Sequence, residues 1–134
     1  MRKAAGMLFC IVCILTTCAC GGNVRNTKTH EVDSKTYSQA DINAAINVIK
    51  NEFDRKWRGC TLTEISYSGD VNSSIYQDWA DRNDADEVIV LLSSFDVDSS
   101  GGDGSLNPDS TYANWMWILV RTADGNWRHV DHGY

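Results

Sequence analysis

Hydrophobic residues recur at steps of three and four in the first part of the folded body, which is the period of one helical face. They are Ile42, Ala45, Ile46, Ile49, Phe53 and Trp57. Ser38 followed by Asp41 has the form of a capping box, and Lys56 and Gly59 are typical of a helix end. The pattern predicts one long amphipathic helix of about 19 residues.

Three later stretches have the apolar density of strands, and a fourth follows a turn. Residues 60–67 mix Thr, Ile, Leu and Tyr in rough alternation, which predicts a strand. Residues 87–95 and 114–121 are apolar on both faces, which is typical of strands at the centre of a sheet. Asp124-Gly125 predicts a hairpin turn, from which residues 126–132 return as the last strand.

Between the first two strands, residues 74–82 predict a short helix with Ile75, Tyr76 and Trp79 turned toward the core. A long helix ahead of hairpin-connected strands predicts an α+β fold, in which the helix packs on an antiparallel sheet of about four strands. Because two of these strands are apolar on both faces, the sheet is expected to be curved and to close over the helix.

The C-terminal part carries a tryptophan-rich hairpin motif. It reads W-x-W-x-L-V-R, a glycine turn and W-R-x-V-D-x-G, at residues 115–121, 125 and 127–133. With the order of elements over residues 38–134, the motif resembles small lipoproteins of Gram-positive bacteria that carry an uncharacterised cystatin-like or nuclear-transport-factor-like domain. The resemblance implies that fold, and it supplies no catalytic or binding residues.

The first 20 residues have the polarity order of a secretory signal. A basic start precedes an apolar run over residues 4–15, which is too short to span a bilayer as a permanent helix. Small residues then surround Cys18 and Cys20, and this pattern resembles the lipobox of bacterial lipoproteins, in which one cysteine is lipidated. The sequence therefore predicts an extracytoplasmic protein anchored to the cell membrane by a lipid on Cys20 or Cys18. A cleaved signal without lipid is the alternative.

Residues 21–37 separate the signal from the first helix. They are small and polar and lack apolar periodicity, so they predict a flexible tether that leads to a single domain over residues 38–134. The folded body holds one cysteine, Cys60, and therefore has no internal disulfide. Its stability is expected to come from its core.

The charge of the chain bears on its partners. The formal net charge is −6, and loss of Arg2 and Lys3 with the signal would bring it to −8. Nucleic-acid binders gain most of their affinity from cations on phosphates. No nucleic-acid partner is therefore expected.

The connection over residues 96–112 holds four aspartates and no cation. Asp96, Asp98 and Ser100 match the opening of a calcium loop, in which alternate side chains turn toward the ion. Asn107 stands where such a loop has a bidentate glutamate. A weak extracellular calcium site is one interpretation, and a solvated loop rich in turn residues is the other.

The sequence H-V-D-H near the C-terminus contains His129, Asp131 and His132. Because strand neighbours alternate faces, His129 and Asp131 are expected to point one way and His132 the other, so the three cannot meet at one ion without a bulge. His129 and Asp131 are a candidate acid/base pair, with Asp131 orienting the imidazole. A histidine that is only hydrogen-bonded on the sheet face is the alternative.

Four tryptophans are candidates for an apolar pocket between helix and sheet: Trp57, Trp115, Trp117 and Trp127. Core packing accounts for the same residues without a ligand. No nucleophile, complete metal set or phosphate loop is evident, so no cofactor is expected. The favoured hypothesis is a non-enzymatic domain that binds a small molecule or another envelope protein. An enzyme using His129 and Asp131 and a calcium-stabilised adhesion module are the alternatives.

Overall fold

The computed structural model describes residues 21–123 and 125–134. The elements in chain order are α1 (Gln39–Lys56), β1 (Cys60–Tyr67), α2 (Asp70–Ile75), α3 (Asp78–Arg82), β2 (Glu87–Val97), β3 (Thr111–Arg121) and β4 (Arg128–Gly133). The strands form one antiparallel sheet in the order β1-β2-β3-β4. The predicted α+β class is therefore confirmed.

Two predicted features lie outside the described residues. They are the signal segment over residues 1–20, with Cys18 and Cys20, and Asp124 of the predicted hairpin turn. Within the described ranges, none of the helices has the length and apolar character needed to cross a bilayer.

The first helix, α1, begins as the sequence predicts. The backbone N–H of Asp41 donates to Ser38 Oγ at 3.1 Å, and the N–H of Ser38 donates to the Asp41 carboxylate at 3.4 Å, which completes a capping box. The buried side of α1 consists of the residues of the three-and-four pattern, Ile42, Ala45, Ile46, Ile49 and Phe53. This pattern places the helix on one face of the sheet.

The sheet is covered on both faces. The face toward α1 carries residues such as Leu91, Phe95, Trp117 and Leu119. The opposite face of β2 and β3 carries Val88, Val90, Ile118 and Val120, which pack with Ala80 and Trp79 of α3. The apolar second face of the central strands is thus explained by helices that pack on it.

The single helix predicted over residues 74–82 is two short helices in the structure. Tyr76 and Trp79 pack against the second face, as expected, whereas Ile75 at the end of α2 is 68% exposed. The N–H of Val90 in β2 donates to Ser73 Oγ in α2 at 3.0 Å, beyond the point where β1 ends. This hydrogen bond holds α2 against β2.

Residues 21–37 are packed along β1, which corrects the prediction of a flexible tether. Asn23 and Lys28 form isolated parallel bridges with Thr61 and Glu64 of β1. At Gly22, which donates its N–H to Phe53 O at 3.0 Å, an added Cβ would lie 2.7 Å from the Phe53 ring. Backbone groups of this segment thus pair with the edge of the sheet, and its few apolar side chains, Val24, Val32 and Tyr37, pack against the core.

Asp70 fastens the second half of this segment to the domain. Its carboxylate accepts hydrogen bonds from Ser34 Oγ at 2.6 Å, from the Lys35 N–H at 2.8 Å and from the Tyr67 hydroxyl at 2.7 Å. These bonds, led by the one from Ser34, lower the pKa of Asp70 to about 2. The charged carboxylate is therefore the form that holds residues 34–35 in place.

We expect these contacts to loosen in acid. Because the folded-state pKa of Asp70 lies below the unfolded value of about 3.9, its contribution is complete above pH 4 and is lost as the pH falls toward 2. The measurement is the amide proton shift of Lys35 across that range by NMR. The Asp70→Asn variant should show the loosened shift already at pH 7, and a Lys35 shift that is the same in both proteins at pH 7 would contradict the assignment.

Candidate functional site

A bulge in β4 decides where its histidines lie. Ile118 of β3 pairs with Asp131, but the next residue, Leu119, pairs with His129, so Val130 has no partner in register. The extra residue places His129 and His132 on the same face, toward α1, and Asp131 on the other. His129 and His132, the histidine pair, are in contact, with His129 Nε2 3.2 Å from His132 Nδ1.

The acid/base pair of His129 and the Asp131 carboxylate is therefore not formed. His129 Nε2 instead lies 3.1 Å from the backbone oxygen of Asp131. The carboxylate beside the ring is that of Glu52 in α1, whose Oε1 is 3.7 Å from His129 Nδ1. A regular strand would place the Asp131 side chain beside His129, and the bulge changes this. Glu52 could not be identified from the sequence, because its position in α1 does not differ from that of other polar residues of the helix.

The ring of His129 is enclosed by other rings. Its side chain is 13% exposed, and its centroid lies 5.3 Å from that of Trp117 and 5.2 Å from that of His132. Burial is the main cause that lowers the pKa of His129, the charge of His132 lowers it further, and Glu52 acts in the opposite direction. The imidazole of His129 is therefore neutral at neutral pH.

A cleft of about 310 Å³ opens beside the histidine pair, between the end of α1, the start of β1 and the loop after β2. We call it the tryptophan cleft. Residues around it include Glu52, Lys56, Trp57, Asp103, Trp115 and His132. The Trp57 ring lies 5.2 Å from His132 and 6.0 Å from Trp115, each at a steep angle. The cleft thus combines aromatic walls with charges of both signs.

The four candidate tryptophans divide between pocket and core. Trp57 and Trp115 line the tryptophan cleft. Trp117 is completely buried beneath it. Trp127 is 5% exposed, and its indole N–H donates to Asp41 O at 3.1 Å at the opposite end of α1. Trp57 and Trp115 also pack against the core, and ligand binding by the tryptophans stays a prediction.

Three of the four aspartates of the 96–112 connection, Asp96, Asp98 and Asp103, accept hydrogen bonds from neighbouring groups. Asp96 Oδ1 accepts a hydrogen bond from Thr111 Oγ1 at 2.6 Å across the sheet. Asp98 Oδ1 accepts the Ser100 N–H at 2.9 Å and also the Ser100 hydroxyl. Hydrogen bonds from Ser100 lower the pKa of Asp98. Asp98 and Ser100 together form a local turn, and calcium binding by this loop stays a prediction.

Cys60 is the free thiol of the described region, and it is buried at the start of β1. Burial, followed by the charges of Asp98 and Asp103, raises its pKa to about 11. The thiol is protonated at neutral pH and is a poor nucleophile. Across residues 21–123 and 125–134, no set of three or more His, Cys, Asp or Glu side chains is placed to hold a metal ion.

No protein-family model, curated protein or solved structure matches this chain.

Proposed function

We propose that this chain is a lipid-anchored extracytoplasmic protein whose domain binds a small ligand in the tryptophan cleft without transforming it. The cleft carries the binding part of this proposal, because two tryptophans and groups of both charges line it, and its volume is near the lower end of the range of about 300–1,000 Å³ that is usual for ligand sites. The signal-like N-terminus with Cys18 and Cys20 carries the localisation. Recognition of a second envelope protein through the same face is the alternative.

The walls of the cleft favour a ligand with a flat or CH-rich face and with polar groups at its edge. Trp57 and Trp115 supply the aromatic part of these walls. Glu52, Lys56 and Asp103 add charges of both signs around them. A neutral sugar or a zwitterionic aromatic peptide has this combination of groups.

We also propose that the fold is of the cystatin-like or nuclear-transport-factor-like type. Packing of α1 on one face of a four-stranded antiparallel sheet supports this proposal. Irregularities in all three strand pairings support a curved sheet, because bulges increase local twist and bend.

The position of residue 21 supports a close relation between anchor and cleft. Gly21 and Gly22 lie against Asp54 and Phe53 near the end of α1, and the Phe53 ring stacks on Trp57 at 5.4 Å. A lipid on Cys20 would leave the domain at this end. The anchor would then hold the cleft end of the domain close to the bilayer.

Ligand binding is tested with two probes, a neutral N-acetylated disaccharide and a zwitterionic tryptophan dipeptide, on the full-length protein in detergent. We expect one of them to shift the indole N–H signal of Trp115 by NMR, and the Trp115→Ala variant to weaken its binding at least about tenfold through lost stacking. Trp79→Ala is the matched control, because Trp79 is also partly buried but lies on the other face of the sheet. Indole signals of Trp57 and Trp115 that stay unchanged with both probes would count against these two ligand classes.

The anchor is tested by feeding cells labelled palmitate. We expect the wild-type protein to be labelled and to fractionate with membranes, and either Cys20→Ser or Cys18→Ser to remove the label. The other single variant serves as the matched control. Absence of label from the wild-type protein, together with its recovery from inside the cell, would contradict the proposed localisation.

A further inference from the structure

We propose that the histidine pair forms a binding site for a divalent transition-metal ion such as Zn²⁺. The ligands would be His129 Nε2, His132 Nδ1 and the backbone oxygen of Asp131. Imidazole nitrogens are common ligands of zinc, copper and nickel. These atoms lie beside the tryptophan cleft, and an ion bound to them does not require a ligand in the cleft.

The distances from His129 Nε2 to the other two donor atoms are compatible with one shared ion. His129 Nε2 is 3.2 Å from His132 Nδ1 and 3.1 Å from the Asp131 oxygen. Two atoms at this spacing, each about 2.0–2.1 Å from a zinc ion, subtend roughly 100° at the ion, close to the tetrahedral angle. The bulge at Val130 produces this arrangement, since a regular strand would place His129 and His132 on opposite faces.

The contacts of His129 also favour a bound ion. With a proton on Nε2, the ring donates toward the Asp131 oxygen and His132, but its unprotonated Nδ1 then faces the Glu52 carboxylate at 3.7 Å. Two acceptors face each other in that state. With the ion on Nε2, the proton moves to Nδ1 and points toward Glu52. A carboxylate behind a metal-binding histidine is the usual outer-shell arrangement.

The proposed ion would have one coordination position that the protein does not fill. Two histidine side chains and one carbonyl make three donors, so a tetrahedral ion has one remaining position for water or another molecule. His132 is exposed and lines the tryptophan cleft. An ion on the histidine pair would therefore be accessible from the cleft.

The direct test is titration of the full-length protein, purified in detergent without a polyhistidine tag, with Zn²⁺ while the histidine side-chain nitrogens are followed by ¹⁵N NMR. We expect His129 Nε2 and His132 Nδ1 to shift together, at one equivalent of zinc. His30 is the internal reference, because it lies along the β1 edge beside Glu64, with its Nε2 2.8 Å from that carboxylate. Unchanged signals of His129 and His132, or a shift confined to His30, would overturn the proposal.

Variants separate the site from other zinc ligands such as the N-terminal cysteines. We expect His129→Gln and His132→Gln each to weaken zinc binding, measured by competition with a chromogenic chelator, and His30→Gln to leave it unchanged. Glu52→Gln should weaken it about tenfold as an outer-shell partner. Equal affinity in all four proteins would refute the site. Zinc binding is read from the histidine nitrogens and ligand binding from the indole N–H of Trp115, so failure of the ligand proposal and failure of this one are distinguishable.

Discussion

Replacement of Trp117 by alanine is expected to lower the free energy of unfolding by about 3–5 kcal/mol, the largest effect of any single substitution that we predict. Trp117 is completely buried, with the rings of Phe53, Trp57 and both histidines of the pair around it. Its indole N–H also donates to Ser93 Oγ at 2.8 Å. Alanine would leave a large cavity and remove this hydrogen bond.

The measurement is urea unfolding followed by far-ultraviolet circular dichroism, which does not depend on tryptophan emission. Trp117→Phe keeps most of the ring and should lose less stability than Trp117→Ala. Ile75→Ala is the surface control, since Ile75 is 68% exposed and should change stability by less than about 0.5 kcal/mol. A loss below about 1 kcal/mol for Trp117→Ala would mean that Trp117 is not the centre of the core.

Arg121→Ala is expected to cost about 2–3 kcal/mol, because it leaves two partly buried carboxylates without their cation. Arg121 is 15% exposed and binds Asp41 Oδ1 at 2.9 Å and Glu87 Oε2 at 2.5 Å. Its guanidinium carbon lies 4.2 Å from the centre of the Trp127 ring. The expected loss of stability is smaller than for a fully buried ion pair, because the carboxylates of Asp41 and Glu87 are 35% and 37% exposed to solvent.

Arg82→Ala is a matched control for this substitution. Arg82 also pairs with a carboxylate, that of Asp78 at 2.6 Å, and its guanidinium lies 4.1 Å from the Trp79 ring centre. It is 56% exposed, so solvent screens the pair and the expected loss is at most about 0.5 kcal/mol. Urea unfolding of both variants gives the comparison, and equal losses would show that burial does not strengthen the Arg121 contacts.

The Arg121 contacts also have a pH signature. The Arg121 guanidinium, followed by the Ser38 hydroxyl, lowers the pKa of Asp41. The stabilisation is therefore present above the unfolded-state pKa of about 3.9 and is lost as the pH falls below it. Stability of Arg121→Ala should depend less on pH in that acidic range than stability of the wild-type protein.

Several elements could be read from the sequence because each has a local cause. The bounds of β1 agree with the prediction, and α1 begins at its predicted capping box. The strands that are apolar on both faces, β2 and β3, lie at the centre of the sheet. Helical periodicity and two-faced apolar runs indicate which positions of one element are buried, and capping residues indicate where a helix begins. Each of these patterns lies within a single element, so it can be recognised without knowing which elements pack against it.

Other features depended on contacts between distant parts of the chain. Residues 21–37 lack any apolar pattern, yet their backbone groups pair with β1. The helix predicted over residues 74–82 is interrupted at Tyr76 and Gln77, and Ser73 of the first short helix binds the backbone of β2. Neither contact leaves a periodic signal, because backbone pairing and a single hydroxyl bond do not require hydrophobic residues at regular steps.

By itself, the sequence determined the class of the fold, the central strands, the first helix and the candidate residues of an anchor and a pocket. The tertiary structure alone decided which candidates meet. A one-residue bulge brought His129 and His132 together and turned Asp131 away, and packing of α1 supplied Glu52. Side-chain direction in a strand follows from register, and register is set by the partner strand, which no local pattern in β4 specifies.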